Sequence, residues 1–348
     1  MEQYVGLDVS LEETSICVMD RDGHILQRGV CATEPEAIAA YVRRHAAGAN
    51  RIVLETGQLS IWLTRELVAL GLPVVCIDAR LAHKALSGRR NKSDRHDAEG
   101  LAHLARTGWF NEVQIKSRAS DERRTLLGAR DRTIRVRKDL EGHIRGVLKI
   151  FGIKLGKIAP GKERIGFRQR VHEVIDDDPT IKPALNPLLT VHTVTCKEED
   201  RLDALIRKRA KNNKTIRLLM TAPGVGAIVA SAFVAVIDDP NRFTRSSQAG
   251  AYVGLTPRRF QSGEVDYSGR ISKWGDPMLR TYLYEAALTL LTRGTRFSPL
   301  KSWGLRLQQQ KGFRKAAVAV ARKLATILFS MWRDNTEFQW SKEASMAA

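Results

Sequence analysis

Short apolar runs and amphipathic stretches alternate along the first hundred-odd residues of the chain. Residues 4–9 (YVGLDV) are mostly apolar, and a second run at 14–19 (TSICVM) follows at hairpin distance. Asp22-Gly23 marks a turn before the third run at 25–28, so three meandering strands come first. Ile38, Tyr41 and Val42 fall on one face of a helix that leads to a strand at 51–55. A further helix at 61–70 stops at Gly71, and a strand at 73–78 closes the pattern. That order, a meander followed by alternating helices and strands, is the order of a ribonuclease-H-like fold. It places Asp8 on the central first strand and Glu55 on the adjacent fourth.

From Arg118 to about Lys157 the period lengthens to that of a helix. Leu126, Leu127, Ile134, Leu140, Ile144 and Leu148 interleave with Arg123, Arg124, Arg130, Arg132, Arg135, Arg137, Lys138, Arg145 and Lys149. This predicts an amphipathic helix with a cationic face. Pro160-Gly161, Pro179, Pro183 and Pro187 are expected to break up the chain beyond it, before a second helix at about 191–210. The two helices suit either an antiparallel coiled-coil hairpin or a plain helical linker. A third block begins near Ile216. There LLMTAPGVG precedes an Ala/Val-rich helix and resembles a helix–hairpin–helix, with Gly224 and Gly226 bringing backbone N–H groups to a phosphate. The expected fold class is therefore α/β + α. It has an N-terminal domain at 1–117, a basic helical region at 118–212 and a mainly helical domain at 213–348.

Composition adds a partner. The 348 residues carry 57 Lys and Arg against 38 Asp and Glu, a formal charge of +19, which favours a polyanion such as nucleic acid. Cys17, Cys31, Cys76 and Cys196 lack metal-site or CxxC spacing and are expected as core residues of a reducing cytoplasm. No run of about 18 apolar residues is present to span a bilayer.

Against that basic background, four carboxylates stand out. Asp8 and Glu55 end buried-strand patterns, while Asp94 and Asp97 lie three apart at a helix start and share one face. Packed acids repel one another and lose hydration, so their clustering calls for cations. A metal-dependent site acting on phosphodiesters is the expectation. His96 and Glu99 fall beside the acids without being clear ligands, and Asp78 reads as a loop cap.

A second chemical centre lies at 251–280, AYVGLTPRRFQSGEVDYSGRISKWGDPMLR. Arg258, Arg259, Arg270, Lys273 and Arg280 surround Ser262, Ser268 and Ser272. Composition alone favours a basic DNA-docking loop over a nucleophilic serine, since serine needs a base or a metal to lose its proton. Ser272 is expected to cap the helix after Gly275. Trp274, Trp303 and Trp332 are expected in the core.

Taken in order, GLDVS, LETG, KSDRHDA, PGVG and GLTPRRFQSGEVDYSGRISKWGDPMLR resemble the transposases of the insertion-sequence one-ten family, DEDD-type recombinases guided by a bridge RNA. The resemblance covers about residues 4–110 and 216–292. It implies a RuvC-like N-terminal domain whose Asp8, Glu55, Asp94 and Asp97 bind Mg²⁺. It also implies a C-terminal serine, Ser262 by its place in RRFQSGE, that becomes joined to DNA; Ser268 and Ser272 are the neighbouring alternatives. A site shared between protomers, a homodimer assembling to a tetramer, donor and target DNA, and a bacterial, nucleoid-associated location come with it. Expected phosphate contacts are Arg123, Arg124, Arg130, Gly224, Gly226, Arg258, Arg259, Arg270 and Lys273. The competing readings are an RNA-independent site-specific invertase, a RuvC-like structure-specific nuclease and a non-enzymatic basic binder.

Overall fold

The structure, a computed structural model, describes residues 2–86, 94–156, 163–262, 265–294 and 296–340. Pro160-Gly161 and the side chains of Asp94, Ser262 and Ser268 lie outside this description. The chain forms two compact units, 1–116 and 117–348.

In the first unit, β1 (Gln3–Val9), β2 (Glu13–Asp20) and β3 (Ile25–Ala32) form an antiparallel meander. Helix α1 (Pro35–His45) leads to β4 (Ala49–Glu55), which pairs parallel to β1. After α2 (Ser60–Ala69), β5 (Val74–Ile77) pairs parallel to β4, giving the order β3-β2-β1-β4-β5. This is the ribonuclease-H-like arrangement, with β1 in the centre. One face of the sheet is covered by α1 and α2: Val5, Leu7, Ile52 and Leu54 are buried with Ile38, Val42, Leu63 and Leu67. The other face takes α4 (Asp94–Thr107), which follows α3 (Ala79–Leu86). There Val53 and Ile77 pack with Leu101, Leu104 and Ala105.

The second unit opens on two long helices, α5 (Arg118–Ile150) and α7 (Ile181–Lys211), that pack along each other with α6 (Glu163–Ile175) between them in sequence. Ile144 and Leu148 of α5 meet Phe167, Val171 and Ile175 of α6 and Ile181, Leu185 and Leu189 of α7. The prolines do not break α7 as expected. Pro183 sits in its first turn, where no N–H is needed, and Pro187 lies inside it on the exposed side. Burial of Ile181, Leu185 and Leu189 on the opposite side holds the helix through the lost hydrogen bond.

Leu127, Ile206 and Ala210 of the long helices share one core with the C-terminal elements. These are α8 (Lys214–Leu219), α9 (Ala227–Ile237), α10 (Ser246–Tyr252), α11 (Pro277–Thr292), α12 (Pro299–Lys311) and α13 (Phe313–Arg333). Helix α9 is buried almost all round, from Ala230 to Ile237. A two-stranded antiparallel ribbon, β6 (Pro257–Ser262) and β7 (Val265–Ile271), stands between α10 and α11. Among the described residues no helix is long and apolar enough to cross a membrane.

Candidate active site

The position of the strand-end acids follows from the alternation of side chains along β1 and β4. On β1 the odd residues Val5 and Leu7 face α1 and α2, so Tyr4, Gly6 and Asp8 face α4. Gly6 makes this explicit: a Cβ there would lie 2.1 Å from the Ala98 carbonyl oxygen and 2.3 Å from the Ala102 nitrogen. On β4, Val53 packs with α4 residues, and Glu55 two positions on shares its face. Leu7 is in register with Leu54, so Asp8 and Glu55 are the next residues on adjacent parallel strands. Helix α4 crosses Gly6 at Ala98, and half-buried Asp97 immediately precedes that contact. Three of the four expected acids thus come from elements that meet at one end of the sheet. The backbone of Asp94 opens the same helix.

Beside them lies a cleft of about 610 Å³, lined by Val9, Ser10, Glu12, Glu55, Gln58 and Ser60. The Ser60 hydroxyl accepts from the Gly57 N–H at 3.0 Å and fixes the loop after Glu55. Neighbouring polar groups have structural partners. Arg28 pairs with Glu99. Asp78 accepts from the Arg80 backbone N–H at 2.9 Å and so caps the start of α3, as its place at a strand end suggested. His96 is exposed. Carboxylates are the donors a hard divalent cation takes, but among the described residues the group whose ligand atoms all lie within 4.8 Å of one another is Asp20, Asp22 and His24, not Asp8, Glu55 and Asp97. The signal for this convergence missed in the sequence was Gly6 itself, a glycine inside a central strand that marks close backbone approach.

In the second unit, the base of the ribbon is built from two tight crossings. Gly254 (φ +75°) lies where a Cβ would meet the Trp274 carbonyl oxygen at 1.8 Å. Gly275 (φ +95°) does the same against the Tyr252 carbonyl oxygen at 2.0 Å. Arg280 donates to the Val253 and Lys273 carbonyls at 3.1 and 3.2 Å, and Arg258 to that of Ser272 at 3.2 Å. Ser272 therefore belongs to this junction. Asp276, not Ser272, caps α11, accepting from the Leu279 N–H at 2.9 Å. Ser262 ends β6 in register with Val265. Arg258, Arg259, Arg270 and Lys273 are exposed around the ribbon, with Arg259 held bidentate by Asp266 at 2.5 and 2.8 Å. That guanidinium holds the Asp266 carboxyl below the usual range. Trp274 is 61% exposed, contrary to the core expectation, because its backbone and not its ring fills the crossing with Gly254. Trp332 packs against Phe233, whereas Trp303 is only partly covered.

The expected cationic face of α5 divides in two. Arg132, Arg135 and Lys138 are exposed. Arg130 instead turns inward, pairing with Asp203 and approaching the Tyr282 hydroxyl at 3.4 Å. Arg124 is half-exposed and paired with Asp276 at 2.9 Å, and Arg123 lines a separate cleft with Leu126 and Arg209. Gly224 (φ +78°) answers to packing, since a Cβ would stand 2.4 Å from the Ala286 carbonyl oxygen. Gly226, by contrast, is exposed with open space before the N-terminus of α9.

A ribonuclease-H-like sheet with acids at the ends of β1 and β4, under a helix opening on two more, defines a DEDD-type domain acting on nucleic acid. Comparison with known families agrees. A profile of DEDD-type transposases of the IS110 group matches residues 5–153, and that of the Transposase IS116/IS110/IS902 family matches residues 216–300. The chain is 29% identical over 335 residues to a transposase for insertion sequence element IS1111A from Coxiella burnetii, covering 94% of this chain and 88% of that one. It is 30% identical over 294 residues to the putative transposase y4pF/y4sB of Sinorhizobium fredii, covering 83% and 74%. A pilin gene-inverting protein of Moraxella lacunata is 30% identical over 136 residues, 38% of this chain and 42% of that protein. The chain belongs to the IS116/IS110/IS902 family of transposases. It is a DNA transposase or recombinase, and DEDD-type transposase domains use divalent metal ions.

Proposed function

We propose that this chain moves an insertion sequence by cleaving and rejoining DNA through a covalent phosphoserine link at Ser262. The observation that carries the reading is the adjacency of Asp8 and Glu55 on the α4 face of the first unit, in a chain whose second unit matches the same transposase family. Asp8, Glu55, Asp94 and Asp97 would hold Mg²⁺, whose chemistry is to polarise the scissile phosphate and lower the cost of deprotonating a hydroxyl. The Ser262 Oγ forms a bond to phosphorus as the bond from phosphorus to the 3′ oxygen breaks. The hydroxyl proton passes to a basic group, and the departing 3′ oxygen takes up a proton. In the second half, a 3′-hydroxyl attacks the phosphoserine and the proton returns to Ser262. One diester replaces another, so no nucleotide cofactor is required. Arg258, Arg270 and Lys273 are the expected phosphate contacts, with Arg259 joining when Asp266 releases it. Gly226 offers the backbone approach at α9.

The family membership supports a structured bridge RNA that pairs with donor and target DNA, and a homodimer, joined through the long helices, that assembles to a tetramer in the nucleoid. Similarity to a pilin gene-inverting protein favours a second reading, site-specific inversion without RNA. One experiment separates them. Protein purified with and without ribonuclease treatment is supplied with supercoiled DNA carrying the element's own ends and Mg²⁺. The first reading expects junction products only with RNA bound, and the second expects them from DNA alone. Hydrolysed ends without strand transfer would contradict both.

A further inference from the structure

Two large rings stand in solvent on the C-terminal ribbon. Phe260 is 46% exposed and Tyr267 56%. They are paired directly across β6 and β7, with centroids 5.1 Å apart and planes inclined by 20°. The Phe260 ring also lies over Gly269, where a Cβ would come within 3.2 Å of its Cε2. The glycine leaves room for the ring, and Tyr267 stacks against it across the ribbon. Among the described side chains of the ribbon, Ile271 packs on the core while positions 258–261, 266, 267, 269 and 270 are exposed. Arg258 and Arg270, both exposed, lie two residues before Phe260 and three after Tyr267 in the chain, while Arg259 and Asp266 pair with each other.

A flat aromatic surface with cations on the same ribbon is the chemistry that takes a nucleobase on its face while the charges hold the neighbouring phosphates. Intact duplex keeps its base faces stacked inside and offers none. Unpaired DNA does. We propose that Phe260 and Tyr267 form a stacking platform for an unpaired base of single-stranded DNA, next to the phosphate presented to Ser262. The inference rests on the recombinase reading for that phosphate, Phe260 lying two residues before Ser262 on β6.

The test uses the full-length protein. Phe260→Leu, Tyr267→Leu, the conservative Tyr267→Phe and, as a reference, Ser262→Ala are titrated against a single strand and its duplex. A fluorescent base analogue is placed at successive positions of the single strand. Each leucine variant is expected to weaken single-strand binding about tenfold, leave duplex binding unchanged and abolish the stacking signal at one position. Tyr267→Phe should keep all three. Ser262→Ala should retain the signal while losing cleavage, which separates failure of the platform from failure of the nucleophile. The platform is overturned if the leucine variants bind single strands like the parent, or lose single strand and duplex equally. It is also overturned if they lose only self-association in sedimentation, which would assign the rings to a protein contact.

Discussion

Gly6 has no side chain because the backbone of α4 passes where one would stand. Replacing it with alanine forces either β1 or α4 to move, and the helix that moves carries Asp94 and Asp97. Gly6→Ala is expected to cost about 3 kcal/mol in urea unfolding and to abolish strand cleavage together. Asp97→Asn separates the two effects. It should leave the unfolding midpoint and DNA affinity near those of the parent while cleavage falls at least about a hundredfold, as for loss of a metal-ligand interaction. The strand-end places of Asp8 and Glu55 were legible in the sequence because each ends an apolar run, and strand alternation then fixes the face. Arg130 was less legible. Its place among other arginines suggested a solvent face, but its partner Asp203 lies seventy-odd positions away on another helix. Arg130→Ala should accordingly destabilise the second unit by about 2 kcal/mol, since the Asp203 carboxylate keeps only the more exposed Arg207 at 3.3 Å, which thermal unfolding would register.

Between α5, α6 and α7 a buried polar cluster does what sequence periodicity could not announce. Arg137 donates to Glu141 and Glu199 at 2.8 Å each, Glu199 also pairs with Arg164, and buried His192 meets Glu141 at 3.0 Å. Burial raises the Glu141 carboxyl, but hydrogen bonds from His192 and Arg137 outweigh it and hold the group below the usual range. A depressed folded value means stability present above the ordinary carboxylate range and lost as pH falls through the folded value. Unfolding followed by circular dichroism should therefore steepen on acidification in the parent and flatten in Glu141→Gln. The helix starting at Ile181 rather than near Val191 has the same origin. Prolines at 183 and 187 argue against a helix locally, and only the packing of Ile181, Leu185 and Leu189 on α5 and α6 reverses that. The meander and the parallel strands needed no such tertiary knowledge, since their short apolar runs and the turn at Asp22-Gly23 are local.

For the molecule as a whole, the formal charge of +19 sets how binding responds to salt. The exposed cations of α5 are the ones expected to release counterions. Arg132→Ala and Lys138→Ala should each weaken DNA binding regardless of sequence and lower the slope against salt by about one. Filter binding across a salt series reads both. The deciding measurement is the site of the covalent link. Trapped protein–DNA complex is digested with trypsin, and cleavage after Arg259 and Arg270 releases residues 260–270, while Ser272 falls on the next peptide. Fragmentation by mass spectrometry then distinguishes Ser262 from Tyr267 and Ser268. The account predicts a 5′-phosphate joined to Ser262 and no adduct when Glu55→Gln replaces the parent. A link at any other residue, or cleaved DNA with no link at all, would contradict it.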